Sequence, residues 1–477
     1  MKQTMIVAAI VVALALAGAA TVWFWLGQDP TASFTVFEPG MDGRAAALTN
    51  VPRVVIGEFF TNLGGKAETD ISGSWPRFRG PHADNSAADS GRLADSWPKG
   101  GPRVLWSLDL GEGHAGPAVA NGRVYVLDYD EAKKSDALRC FSLGTGAELW
   151  RRWYRTNLKR NHGFSRTVPA VSSNYVVTIG PNCQVMCVKA DSGEFVWGID
   201  LVREYGTKVP GWYTGQCPLI DNGLAIIAPA GSNTLMIAVE CATGKVVWHT
   251  PNPRAWPMSH SSIMPVTLGG VRMFVYAASG GLAGIAADGP RRGMILWETN
   301  AFNHAVVAPS PVCMPDGKVF IAAGYAAGGM MLEVRMTNGG YTVAVLETLP
   351  PGKGLATEQQ TPVFLNGLLY AVMPKDGGQH RNEFVCCAPD TCGTFVWTSG
   401  TGARFGLGPY IAADGKLFIL DDEGELTMVR ASAERWEPLG RAHVLAGKEA
   451  WGPMAIVSGR LLARDEKRMV CLDISAQ

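Results

Sequence analysis

Short apolar runs alternate with turn residues over most of the chain, and one longer apolar run stands apart. That run is MIVAAIVVALALAGAATVWFWL, Met5 to Leu26, 22 residues without a charge. As a helix rising about 1.5 Å per residue it would reach roughly 33 Å, enough to cross the hydrocarbon of a bilayer. Trp23, Phe24 and Trp25 at its end suit a membrane interface, which predicts an uncleaved transmembrane anchor over residues 1–28. Ala17-Gly18-Ala19 offers an A-x-A cleavage site, so a removed signal peptide is the rival reading. With Lys2 inside, either reading places the remainder outside the cytoplasm.

After residue 101 the runs are short and β-rich, as in RVYVLD (123–128), LAIIAP (224–229), KVFIAA (318–323) and KLFILD (416–421). Each follows a proline and a turn. PAVANG (Pro117), PLIDNG (Pro218), PVTLGG (Pro265), PVCMPDG (Pro311), PVFLNG (Pro362), PYIAADG (Pro409) and PMAIVSG (Pro453) share the pattern. PAVSSN (Pro169) carries Asn174 where the others have glycine, as a left-handed turn position would tolerate. Pro117 and Pro453 are 336 residues apart, seven intervals averaging 48.

A second marker keeps step with the first. CFSLGTGAELW ends at Trp150, CVKADSGEFVW at Trp197, AVECATGKVVW at Trp248 and CAPDTCGTFVW at Trp397, with a looser ADGPRRGMILW ending at Trp297. Eight copies of an all-strand unit of this length predict an all-β fold, an eight-bladed β-propeller of four-stranded antiparallel blades over 102–477. VLWSLDL (104–110) precedes the first copy, and too little follows Cys471 to finish the last. The early strand is therefore expected to complete the eighth blade as its outer strand, removing the sheet edges. Residues 29–101 are less regular. FTVFEPG (34–40) and RVVIGEFF (53–60) look like strands and AETDISGSWPRFRGPHADNS (67–86) like a folded-back loop, all packing on the propeller.

Composition narrows the function. Lys+Arg 42 against Asp+Glu 42 leaves no net charge, which excludes nucleic acid as the main partner. Among the cysteines, Cys140, Cys187 and Cys387 each stand ten residues before a repeat tryptophan, as does Ala238, and Cys471 matches them in the last copy. Cys387 thus fills a recurring small-residue position, with Cys386 its strand neighbour facing the other way. No CxxC pair and no nucleophile-elbow, P-loop or dinucleotide fingerprint is present. The acidic run LDYDEAKKSD (127–136) reads as a solvated hairpin loop.

The residues before the prolines begin the inner strands and face the central channel. His114, Arg166, Gln216, His260, Gln360 and Arg404 form one such series, with Gln359 and Trp451 beside them. They are the candidate ligand-binding rim, and two guanidiniums with two imidazoles make it an anion funnel. No catalytic group and no metal site emerges from the spacing.

Segments such as LRCFSLGTGAELW and MIAVECATGKVVW resemble the pyrroloquinoline-quinone (PQQ) repeat. The resemblance implies that Trp106, Trp150, Trp197, Trp248, Trp297 and Trp397 dock between neighbouring blades, with Leu346 near the missing fifth-copy tryptophan. Two branches share the repeat. Quinoprotein dehydrogenases bind PQQ with calcium over a vicinal disulfide, whereas BamB-like propellers are non-catalytic; WPRFRG and GHAGPAVANGRVYVLD also resemble uncharacterised membrane-anchored bacterial members. The cysteine pair here lies in a repeat strand, and no matching calcium ligands stand out. The expectation is a non-enzymatic, extracytoplasmic binding or scaffold propeller without a cofactor, held to the membrane by its helix and recognising an envelope protein or small anionic ligand. The alternative is a PQQ-dependent oxidoreductase using the channel.

Overall fold

The computed structural model describes residues 2–27, 53–68, 71–87, 90–338 and 340–476, which fall in two units, Met1–Arg53 and Val54–Gln477. In the first, one helix runs Lys2–Leu26, apolar on all sides, and Ala8–Leu26 is long and hydrophobic enough to cross a membrane. A signal sequence would have the same form. FTVFEPG lies outside the described residues.

The second unit is an eight-bladed β-propeller of four-stranded antiparallel blades. In blade one the strands run outward as Ala118–Ala120, Arg123–Asp130, Ser135–Ser142 and Glu148–Arg155. Blade eight builds its inner three from Ala455–Val457, Arg460–Arg464 and Arg468–Asp473, and takes Arg103–Asp109 as its outer strand. The first propeller strand therefore closes the ring.

Turn chemistry sets the inner hairpins. Asn121 and Gly122 both have positive φ, 52° and 67°, the pair a type I′ turn requires and the one whose twist matches the strands it joins. The same paired conformation recurs at Asn222–Gly223, Gly269–Gly270, Asn366–Gly367, Asp414–Gly415 and Ser458–Gly459. Asn174 does not share it. Ser172 Oγ closes that turn instead, accepting from the Asn174 and Tyr175 N–H groups.

One register position organises every blade. Cys140 faces Trp150, Cys187 faces Trp197, Ala238 faces Trp248, Gly284 faces Trp297 and Cys471 faces Trp106 across the outer strand pair. The small residue leaves room for the indole to lean onto the next blade. Trp106, Trp150, Trp197 and Trp248 lie against Gly146, Gly193, Gly244 and Gly293 of the following turn. The indole N–H of Trp106, Trp150, Trp197 and Trp397 each reaches a carbonyl of the next blade, at 2.8, 3.1, 2.9 and 3.0 Å. Trp297 points its N–H to Met273 Sδ in its own blade while its ring stays in the core shared by blades four and five. In blade five Glu347, one residue beyond the exposed Leu346, faces Met331. In blade seven Gly440 faces Met428, and Trp97 from the N-terminal extension rests against that glycine.

Blade six corrects the cysteine register. The residue opposite Trp397 is Cys386, not Cys387, because a 3-10 turn at Pro389–Thr391 lengthens the connection by one residue. Cys387 is opposite Leu369 instead, with its Sγ 3.5 Å from Cys392 Sγ. Both members of the adjacent pair are fully buried as free thiols. The acidic run is also less solvated than its composition suggests. Asp128 and Asp136 lie buried in paired strands, leaving only the turn between the strands outside.

The extension does more than cover the ring. Of RVVIGEFF only the end is a strand, Phe59–Asn62, added to the outer edge of blade one. Trp75 exchanges two 2.8 Å backbone bonds with Val119 of blade one, and Pro76 accepts from Val171 N–H of blade two. Arg79, buried, donates to the Thr361 and Pro362 carbonyls at blade six, both at 3.0 Å. Ser86–Ala87 then pairs in parallel with the inner strand of blade seven. Residues 75–87 thus cross the central channel and cork it.

Candidate functional site

A cavity of about 300 Å³ lies against the cork, with Phe78 among its lining residues. Its walls come from the segments that lead into the inner strands, which a closed ring forces toward one axis. His114, Arg166, His260 and Gln360 of the sequence-derived series line it, together with Gln359 and Trp451.

Two members of that series do not. Gln216 is wholly buried, its amide exchanging bonds with Ala228 N–H (2.9 Å) and C=O (3.0 Å) and donating to Tyr276 Oη (3.2 Å). Its neighbours Gly215 and Cys217 face the cavity instead, as alternation in an extended segment demands. Arg404 sits too far upstream of its proline, its backbone forming an isolated antiparallel bridge with that of Glu383, and Leu407 takes the cavity position in that segment.

Arg166 is the electrostatic centre. Its Nε donates to the Trp212 carbonyl (2.6 Å), and Nη2 to those of Asn161 (2.8 Å) and His162 (2.5 Å). These acceptors carry no formal charge. Burial pulls the guanidinium down only to about 10, so it stays cationic at neutral pH. Its neighbours respond. Burial first, then the charges of Arg166 and Arg464, push His114 down to about 3, and burial with Arg166 pushes His260 down to about 4. Both imidazoles are therefore neutral near pH 7. The 3.6 Å approach of His114 Nε2 to Glu449 Oε2 is accordingly not an ion pair.

Sequence reasoning missed several walls. Trp212, which it did not name, stacks on Tyr325 at 5.7 Å, while Trp451, which it did name, stacks on His114 at 4.9 Å. Lys375 Nζ pairs with Glu358 Oε1 at 2.9 Å and lies 5.3 Å from the Tyr325 ring centre. Glu358 stands beside Gln359 in the same segment, so the series could have reached it. Tyr325 and Lys375 follow the second strands of blades five and six, Lys318–Ala323 and Leu368–Val372, outside the segments that the repeat prolines mark.

Backbone strain gathers here. His162, Trp212 and Tyr325 line the cavity with φ of 50°, 61° and 57°, and Tyr213, Ala326 and Glu449 beside them are left-handed too. Bulky side chains in that region cost about 1–3 kcal/mol each and persist where the surroundings fix them, often at binding sites. Among the lining residues, Glu358 Oε2 is buried without a hydrogen-bond partner, and the ring nitrogens of His114 complete none, although Nε2 comes within 3.6 Å of Glu449 Oε2.

The arrangement is poor in chemistry and rich in contacts. Cys217 is the lining thiol, and burial pushes it up to about 11, so it is protonated at neutral pH. Its neighbour Ser262 is engaged with the Cys217 N–H rather than with a base.

A family model described as outer membrane protein assembly factor BamB matches residues 133–383. The crystal structure of BamB from Moraxella catarrhalis superposes with a TM-score of 0.51 at 12% identity, over 78% of this chain and 99% of that one. A quinohemoprotein alcohol dehydrogenase from Comamonas testosteroni gives 0.58 at 11% identity, over 86% and 82%. At such identity these structures share the fold alone. No curated protein matches in sequence.

The cavity residues do not fit the PQQ–calcium group of the dehydrogenase branch. Cys386 and Cys387 are buried in the sheet and neither reaches the cavity. Among the described residues no three His, Cys, Asp or Glu gather to hold a metal ion, and the lining carboxylate of Glu358 is engaged by Lys375.

Proposed function

The chain belongs to the family described as outer membrane protein assembly factor BamB, and from that membership we propose a non-enzymatic, extracytoplasmic binding propeller of the cell envelope. In this reading the helix Lys2–Leu26 holds it to the membrane, and the corked cavity receives a small anionic ligand or an anionic segment of an envelope protein. No cofactor is required.

The observation that carries the reading is Arg166, a cation held only by backbone carbonyls inside an aromatic cavity. A fixed guanidinium that no carboxylate contacts directly, Glu449 acting on it only through space, is arranged to bind an anion, where charge-assisted bonds are strongest. The protonated Cys217 and the absence of a nucleophile–base contact at Ser262 or Cys217 argue for holding rather than converting what binds.

Native mass spectrometry of the detergent-solubilised full chain tests this. The wild type is expected to retain a ligand or co-purifying segment that Arg166→Gln loses while melting at a similar temperature. Identical profiles in two folded proteins would remove the binding role. Dye-linked alcohol oxidation after adding PQQ and calcium would instead place the chain with the dehydrogenases.

A further inference from the structure

We infer that the ligand of this cavity is a hydroxylated ring bearing one carboxylate, a sugar acid of the uronic type, either free or at the end of a glycan. This rests on the binding reading above and specifies its substrate class.

The unmet bonds of the cavity define the ligand. Arg166 spends Nε and Nη2 on carbonyls and has no acceptor at Nη1, so it calls for an anion. Glu358 is 6% exposed, with Oε1 against the Lys375 ammonium and Oε2 unpartnered, and a carboxylate oxygen so paired offers acceptors. The ligand must therefore also donate. His114 is 4% exposed, and the backbones of His162 and Glu449 approach its ring without completing a full hydrogen bond at either nitrogen. Its neutral ring needs one donor and one acceptor, which hydroxyl groups provide together.

The walls set the shape. Trp212 with Tyr325, and Trp451 with His114, present stacked ring systems around a space of about 300 Å³. The electron-rich faces of aromatic rings attract C–H groups carrying partial positive charge, as on one face of a pyranose. That volume lies at the lower end of small-molecule sites and suits one or two small rings. Inorganic phosphate would answer Arg166 and leave the aromatic faces bare. A flat aromatic acid without hydroxyls would cover those faces and leave Glu358 Oε2 without a donor. A uronate meets all three demands.

Calorimetric titration of the detergent-solubilised full chain provides the test, using methyl glucuronoside, methyl glucoside, benzoate and inorganic phosphate. Methyl glucuronoside is expected to bind at least tenfold tighter than the other three. Glu358→Gln should weaken it severalfold without changing benzoate, and Arg166→Gln should erase the preference over the neutral glucoside. If Arg166→Gln unfolds, Glu358→Gln and the wild-type panel still decide. Equal or tighter binding of benzoate, phosphate or the neutral sugar overturns the inference. So does no binding of any probe while native mass spectrometry finds another retained anion, an outcome that leaves the binding role standing. Comparing the monomer with a uronate oligomer distinguishes a free sugar acid from a glycan terminus.

Discussion

Asp136 lies fully buried between blades one and two, with Tyr154 Oη donating at 2.8 Å and Ser165 Oγ at 3.3 Å, and no cation among its contacts. Burial raises its carboxyl to about 7, against which the two hydroxyls pull only partly. An acid whose folded value is raised supports the fold fully in acid and loses that support as pH climbs from its ordinary range near 4 to about 7. Asp136→Asn should remove this dependence, whose limit is about 1.4 kcal/mol per pH unit. The gap in melting temperature between variant and wild type is therefore expected to widen in the variant's favour from pH 4.5 to pH 7.5. His114 and His260 act oppositely, their folded values being lowered, so their support is complete above about 6.5 and falls in acid. They are common to both proteins and cancel in the difference. A constant gap would show that Asp136 does not titrate in this window.

At the scale of the blade, the register is the element that matters. Most outer strand pairs set one residue against an indole, which in blades one, two, six and eight bonds to the next blade; in blade seven, which lacks the tryptophan, Trp97 stands in from outside the repeat. Cys386→Leu in blade six should overpack that position at about 1–3 kcal/mol, while Cys386→Ala should cost clearly less because Ala238 holds the same site in blade three. Chemical denaturation of both variants checks this, and equal costs would mean the position is not size-limited. The repeat itself was legible in the chain because proline, turn and tryptophan recur with a period no helix could share. The blade-six register was not, because a 3-10 turn adds a residue without changing which residue types are present. Gln216 was misread for a related reason. A series of residues before prolines identifies the segment, but alternation decides which neighbour faces the axis. Trp212 and Tyr325 escaped because their placement depends on left-handed backbone that tertiary packing, not local sequence, imposes.

For the molecule as a whole, counting copies gave the eight blades and the shared strand, since a short final copy and an orphan early strand leave one geometric solution. The cork was out of reach, because residues 75–87 meet blades one, two and seven through backbone bonds that any sequence could make, and only Arg79 reaches blade six with a side chain. The shared strand has a kinetic consequence. Trp106 is made early and pairs with Cys471 near the end of the chain, so the loop closed by that contact is almost the entire propeller. Closing so long a loop costs entropy that no earlier contact repays, and folds dominated by such contacts form slowly. Until synthesis reaches the last hairpin, the growing ring carries two unpaired strand edges of the kind that recruit other chains. Deleting residues 468–477 should leave that gap permanently, giving a protein that self-associates on size-exclusion chromatography and is cut by protease near Arg103–Asp109. Supplying the missing strand as a separate peptide should restore the monomer, so the seam by which this ring closes is also the place where it can be held open.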